Sequence, residues 1–207
     1  MIGERELTVL RGRIENTMSP YRFRHTAEVE RMVARLADLY APEASLWLRA
    51  AALLHDLTKE ANFEEQLALC TAHGIVLTEA EKNSPKTLHA ITAAAVIPER
   101  YPELATAEIL SAVRWHTTGR AGMSVEDWLL YLADYIDLSR TFPDCVALRN
   151  LFWEAEPERM DRIERLAHLR RVLLRSLNMT IDSLVEEGST VSPESLEARD
   201  WLTDNAL

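Results

Sequence analysis

Cysteine is nearly missing: Cys70 and Cys145 are the only two in 207 residues, and neither belongs to a Cys-x-x-Cys pair. That excludes a disulfide framework and a zinc ribbon, and both thiols are expected to be reduced. Glycine and proline are scarce at 6 and 8 residues, so collagen-like repeats and low-complexity tails are excluded as well. Long apolar runs are broken by charge, as by Arg49 within Leu46 to Leu54, and no membrane span is expected. Basic residues are outnumbered 23 to 33, and the net charge of −10 repels a phosphate backbone, so no long nucleic-acid partner is expected. The opening Met1-Ile2-Gly3-Glu4-Arg5-Glu6 has no apolar stretch of the signal-peptide kind. The expected address is cytoplasmic.

Hydrophobic residues at 47% and charged residues at 27% are ordinary for a folded globular chain, and the length suffices to bury a core without staples. Val29, Met32, Val33, Leu36, Leu39 and Tyr40 recur at steps of three and four, the spacing of one helical face. No sustained strand-like alternation occurs. Pro20, Pro42, Gly74, Pro98, Gly119, Gly122, Pro143, Pro157, Gly188 and Pro193 are expected between periodic segments. Thr78-x-x-Glu81 reads as a capping box, and Ser192-Pro193 as an N-cap followed by proline at the first helical position. The expectation is an all-α single domain of about eight to ten helices.

The sharpest chemical feature is His55-Asp56, which closes the strongly helix-forming and apolar stretch Leu48 to Leu54. Neighbouring helical residues project about 100° apart, so both can serve one cation only at the helix edge, with other elements completing the shell. His25, His116 and Asp134 are further polar residues inside apolar helical stretches. Asp134 is the most telling, because a carboxylate following Trp128 to Ala133 is costly unless paired or metal-bound. Imidazoles with carboxylates suit iron, manganese or another divalent first-row metal. His73 and His168 are read as surface or core residues outside any site, and Trp115, Trp128, Tyr131 and Tyr135 as core before adenine-stacking walls.

His25, His55-Asp56 about thirty residues later, and Asp134 in that order resemble the HD superfamily of metal-dependent phosphohydrolases. Arg22-Phe23-Arg24-His25, His55-Asp56-Leu57-Thr58-Lys59-Glu60, Leu88-His89-Ala90, Trp115-His116-Thr117-Thr118-Gly119-Arg120 and Tyr131-Leu132-Ala133-Asp134-Tyr135-Ile136-Asp137, followed by Arg140, look like the YqeK family in particular. The likeness covers about residues 20 to 202. It implies an HD-domain helical bundle as one domain over 1–207, with a core at about 20–145 and C-terminal helices at about 146–207 completing a nucleotide pocket. It implies symmetrical hydrolysis of diadenosine tetraphosphate and related dinucleoside tetraphosphates to two ADP by metal-activated water.

The metal ligands so implied are His25, His55, Asp56 and Asp134, holding two iron ions, with Mn, Co or Mg as alternatives. Substrate contacts fall on Arg22, His25, Asp56, Lys59, His89, His116, Thr117, Asp134, Arg140, Ser195 and Arg199. Catalytic roles fall on Asp56, His89 and His116, with the two histidines read as hydrogen-bond donors to phosphate oxygens or proton donors to the leaving phosphate, outside the ligand set. Asp137 is read as either a support for a ligand or an exposed residue and stays outside the expected site. The sequence departs from the family pattern at Thr58, where a smaller residue is expected, and at Asp200, where asparagine is. Two other readings stand beside this one: an HD-type nucleotidase acting on mononucleotides, and a non-catalytic module that senses nucleotides or binds a partner. The partner expected throughout is a small nucleotide, and a homodimer is left open.

Overall fold

A computed structural model describes residues 2–207, all-α among those residues. The helices are α1 (Glu4–Glu15), α2 (Pro20–Tyr40), α3 (Ser45–Leu54), α4 (Phe63–Ala72), α5 (Glu79–Lys82), α6 (Leu88–Arg100), α7 (Ala107–Trp115), α8 (Val125–Ile136), α9 (Pro143–Trp153), α10 (Arg162–Glu186) and α11 (Pro193–Asp204). Their boundaries follow local chemistry. Ser19, Asn62, Thr78, Thr106, Ser124 and Asp161 each accept a bond from a first-turn backbone N–H. Proline stands at the start of α2, α9 and α11, where its missing donor costs nothing.

Two expectations about punctuation fail in instructive ways. Pro98 lies inside α6 rather than between segments. The helix ends two residues later, so proline costs it one bond, to the carbonyl a turn back, without stopping it. Ser192 stands at the N-cap of α11, but its hydroxyl accepts no cap bond and donates instead to Glu194.

The core is organised by α3, whose Leu48 and Ala50 to Leu54 are all fully buried. A helix whose last five residues are all apolar and buried belongs at the centre of a bundle, and α3 packs against α1, α2, α7 and α8. α2 turns Val29, Met32, Val33 and Leu36 into this core and lies along both α3 and α8. α6 packs on α7, while the long α10 holds α8, α9 and α11 together. One end of this bundle therefore collects the first half of α2, the exits of α3 and α7, the start of α6 and the end of α8.

The turn after α7 depends on Gly119, which closes the helix by donating to the Trp115 carbonyl with φ +65°. A Cβ there would meet the Trp128 ring at 2.9 Å, so both backbone and space require glycine.

Candidate metal centre

Four histidines meet at that end of the bundle, each with its Nδ1 already engaged. Nδ1 of His55, His116 and His89 lies 2.6, 2.7 and 2.9 Å from the carbonyls of Ala52, Val113 and Lys86, three residues upstream in each case. A carbonyl only accepts, so Nδ1 carries the proton in all three rings and Nε2 presents a lone pair. The Nδ1 of His25 faces Ser139 Oγ at 3.0 Å and Asp137 Oδ2 at 3.4 Å, which turns its Nε2 inward as well.

These Nε2 atoms surround two carboxylates. Asp134 Oδ1 is 2.9 Å from His25 Nε2 and 4.0 Å from His55 Nε2. Asp56 Oδ2 lies 3.4 Å from His55 Nε2 and 3.8 Å from His25 Nε2. The other oxygen, Asp56 Oδ1, faces His89 at 3.4 Å and His116 at 3.9 Å, whose own Nε2 atoms are 3.1 Å apart. Two donors bound to one cation at about 2.1 Å can be at most about 4.2 Å apart, and all these separations meet that limit.

The donor set also asks for a cation. His25 Nε2 and His55 Nε2 are buried without a hydrogen-bond partner, so the close approach of His25 to Asp134 is not aligned as a hydrogen bond. Buried lone pairs facing carboxylates are costly to leave unmatched, and a divalent metal satisfies all of them at once. His25, His55 and Asp134 form one candidate cation group, and His55, Asp56 and His116 another. Asp56 offers one oxygen to each side.

Electrostatics keeps the two carboxylates, His89 and His116 in ligand form, whereas His25 holds a proton that a metal must displace. Burial opposes the charge on Asp56 and Asp134, but His55 beside the first and Arg140 with His25 beside the second outweigh it and hold both well below the usual carboxylate range. Burial pushes His116 down to about 4, with His55 adding to the effect, and pushes His89 well below its ordinary value despite Asp56. Burial pulls His25 the same way, but the carboxylates of Asp134 and Asp137 prevail and raise it to about 9 without a metal.

Cationic side chains frame the cluster. Arg22 Nη1 donates to Asp56 Oδ2 at 2.8 Å, and Arg140 Nη2 donates to Asp134 Oδ1 at 2.6 Å. Lys59 Nζ lies 3.2 Å from both ring nitrogens of His89, and Thr117 Oγ1 lies 3.2 Å from its Nε2. A cavity of about 450 Å³ opens above them, with Lys59, His116, Thr117, Asp134 and Arg140 on its floor. Tyr135, Thr180, Leu184, Ser192 and Ser195 form its outer wall, so α10 and α11 close a pocket that the earlier helices begin.

The structure thus brings together every expected site residue except Arg199. Arg199 does not line the cavity, and its guanidinium is held by the neighbouring exposed Asp200 at 2.7 Å. Ser195 lines the wall while its hydroxyl is spent on the Thr118 carbonyl at 2.8 Å. Thr58, the departure before Lys59, is buried and donates to the His89 carbonyl at 3.0 Å, tying the His55 turn to α6.

Sequence reasoning missed two things. His89 and His116 were expected outside the ligand set, but their neutral rings aim lone pairs at Asp56. Asp137 was left out, yet it is fully buried behind His25 and fixes the Ser139 N–H at 2.7 Å. Its signal was present in the sequence, a second carboxylate one turn after Asp134, but the spacing alone did not give the direction.

Carboxylates and neutral imidazoles select a divalent first-row cation, and lysine and arginine beside them select an anion such as phosphate. A helical protein that holds both on one pocket floor has the parts that a metal-dependent phosphohydrolase requires. Comparison gives the family: residues 22–139 match the HD domain, and the chain belongs to that family. It is 25% identical over 195 residues to the symmetrical bis(5'-nucleosyl)-tetraphosphatase of Bacillus subtilis, covering 93% of this chain and 95% of that protein. The Halalkalibacterium halodurans protein of the same name is 26% identical, covering 86% and 87% of the two chains. A crystal structure described as a predicted HD superfamily hydrolase involved in NAD metabolism, from Clostridium acetobutylicum, superposes with a TM-score of 0.80 at 26% identity, covering 95% of this chain and 96% of that one. No helix among the described residues is long and apolar enough to cross a membrane.

Proposed function

We propose that this chain hydrolyses diadenosine tetraphosphate and related dinucleoside tetraphosphates symmetrically into two ADP, in the cytoplasm, with two iron ions held by His25, His55, Asp56, His89, His116 and Asp134. The observation that carries the reading is the position of Asp56, whose two oxygens face two pairs of histidine nitrogens in a cluster that meets the cavity at His116 and Asp134. Cations bound there supply acidified water and neutralise phosphate oxygens.

The chain's own residues supply the rest. Arg140 and Lys59 bind and orient the phosphates, and a guanidinium can hold two oxygens at once. Arg22 and Arg140 occupy the carboxylates now and can exchange part of that pairing for phosphate when substrate enters. Thr117 adds a hydroxyl donor at the same level. The 450 Å³ cavity falls in the range of small-molecule pockets and takes one nucleoside diphosphate half, with Tyr135 and Leu184 on the wall available to the base. The relatives named as symmetrical tetraphosphatases support equal halves as products.

The test is incubation of the iron-loaded protein with diadenosine tetraphosphate, with nucleotides resolved by anion-exchange chromatography. ADP as the sole nucleotide product is expected. ATP with AMP would overturn the regiochemistry, and turnover of mononucleotides alone would favour the nucleotidase reading.

A further inference from the structure

A symmetrical cut puts the scissile bond midway along the substrate, so each half needs a path away from the metal ligands. The 450 Å³ cavity provides one path. A second opening reaches the same cluster from another side: a cleft of about 120 Å³ whose walls include Tyr21, Arg22, Arg24, His25, Arg140 and Phe142. Arg140 lines both openings, so the two lie on either side of one residue. Three arginines in so small a cleft favour an anionic chain, and His25 places its inner end at the metal ligands.

The outer end of this cleft carries two large exposed rings. Tyr21, in the first turn of α2, is 69% exposed, and Phe142, just before α9, is 65% exposed. Such rings beside an arginine-lined cleft are what a base leaving along its phosphates would stack on. Arg24 lies 5.7 Å from the centre of the Tyr21 ring, which adds a cation beside the platform.

We propose that Tyr21 and Phe142 form the stacking site for the second nucleoside, with its phosphates running through the cleft past Arg22 and Arg140. This rests on the symmetrical reading above. The rings would determine specificity by separating substrates that carry two nucleosides from those that carry one.

The experiment compares KM for diadenosine tetraphosphate with KM for adenosine 5'-tetraphosphate, which has the same phosphate chain and no second nucleoside. In the Tyr21→Ala/Phe142→Ala double variant the ratio of the two constants should rise roughly tenfold, from loss of base stacking. The Tyr21→Phe and Phe142→Tyr variants should keep the original ratio, as should Ile163→Ala, whose side chain is 80% exposed on another helix. An unchanged ratio in the double variant, in protein that still releases ADP, would overturn the aromatic site alone. Failure of the unaltered protein to release ADP from diadenosine tetraphosphate would overturn the symmetrical reading and the aromatic site with it.

Discussion

α2 carries two buried polar centres about a turn and a half apart, and they are built on opposite principles. At Glu30 every charge is answered within the chain: Arg11 donates at 2.6, 2.7 and 2.9 Å, Arg49 donates at 3.2 Å, and Arg49 also reaches Glu4. At His25 the geometry stays open: imidazole lone pairs face carboxylates, and two buried nitrogens have no partner. A buried carboxylate among donors is a structural tie. The same group facing imidazole nitrogens, with a single arginine at the edge of each carboxylate, leaves buried nitrogens that a cation can satisfy.

The comparison breaks most sharply at Asp56. Asp56→Ala removes the oxygen pair shared by both histidine groups, so hydrolysis should fall more than about a hundredfold. Metal content should fall with it while far-ultraviolet circular dichroism stays helical. Retained activity would overturn the ligand set. At the closed centre the effects should reverse. Glu30→Gln leaves Arg11 and Arg49 without their carboxylate and should cost about 3 kcal/mol in urea unfolding, with metal content per folded molecule unchanged.

Arg140→Ala sharpens the division within the open centre. Loss of a charged donor to phosphate should raise KM roughly tenfold with metal content preserved. Metal loss equal to that of Asp56→Ala would contradict the separation of binding from coordination.

The smallest effect concerns protons in chelator-stripped protein. His25 is raised to about 9 in the fold, so its stabilisation is complete below 6.5 and disappears as pH rises through 9. His116 is lowered to about 4, so its neutral burial costs stability as pH falls from 6.5 towards 4. Thermal unfolding without metal should therefore peak near pH 6.5 and drop by a few degrees on either side. Added divalent metal should flatten the alkaline side, because it displaces the His25 proton and its binding grows as that proton becomes easier to lose. A metal-free melting temperature that keeps rising to pH 9 would contradict the placement of His25 between Asp134 and Asp137.

Much of this architecture could be read from the chain. The 3.6-residue spacing in α2, the apolar Leu48 to Leu54 and the capping signals at Thr78 lead directly to a helical bundle. His55-Asp56 and Asp134 stood out because polar residues in apolar helical stretches need a reason. Pro98 misled, because a proline's effect depends on how much helix remains after it. Arg199 was less legible for a similar reason: its position one turn from Ser195 is local, whereas its direction depends on how α11 packs, and its guanidinium pairs with Asp200.

By itself, then, the sequence determined the helices, the acidic character and the residue types from which a metal and phosphate site can be made, since these depend on local periodicity and side-chain chemistry. Which lone pairs meet was decided only by tertiary structure. His25, His55, His89, His116 and Asp134 come from five different helices or their exits. Their convergence within 4.0 Å of neighbouring ligand atoms depends on how α2, α3, α6, α7 and α8 pack. The approach of His89 and His116 to Asp56, and the contact of Asp137 with His25, exist only once that packing has fixed the direction of each ring and carboxylate.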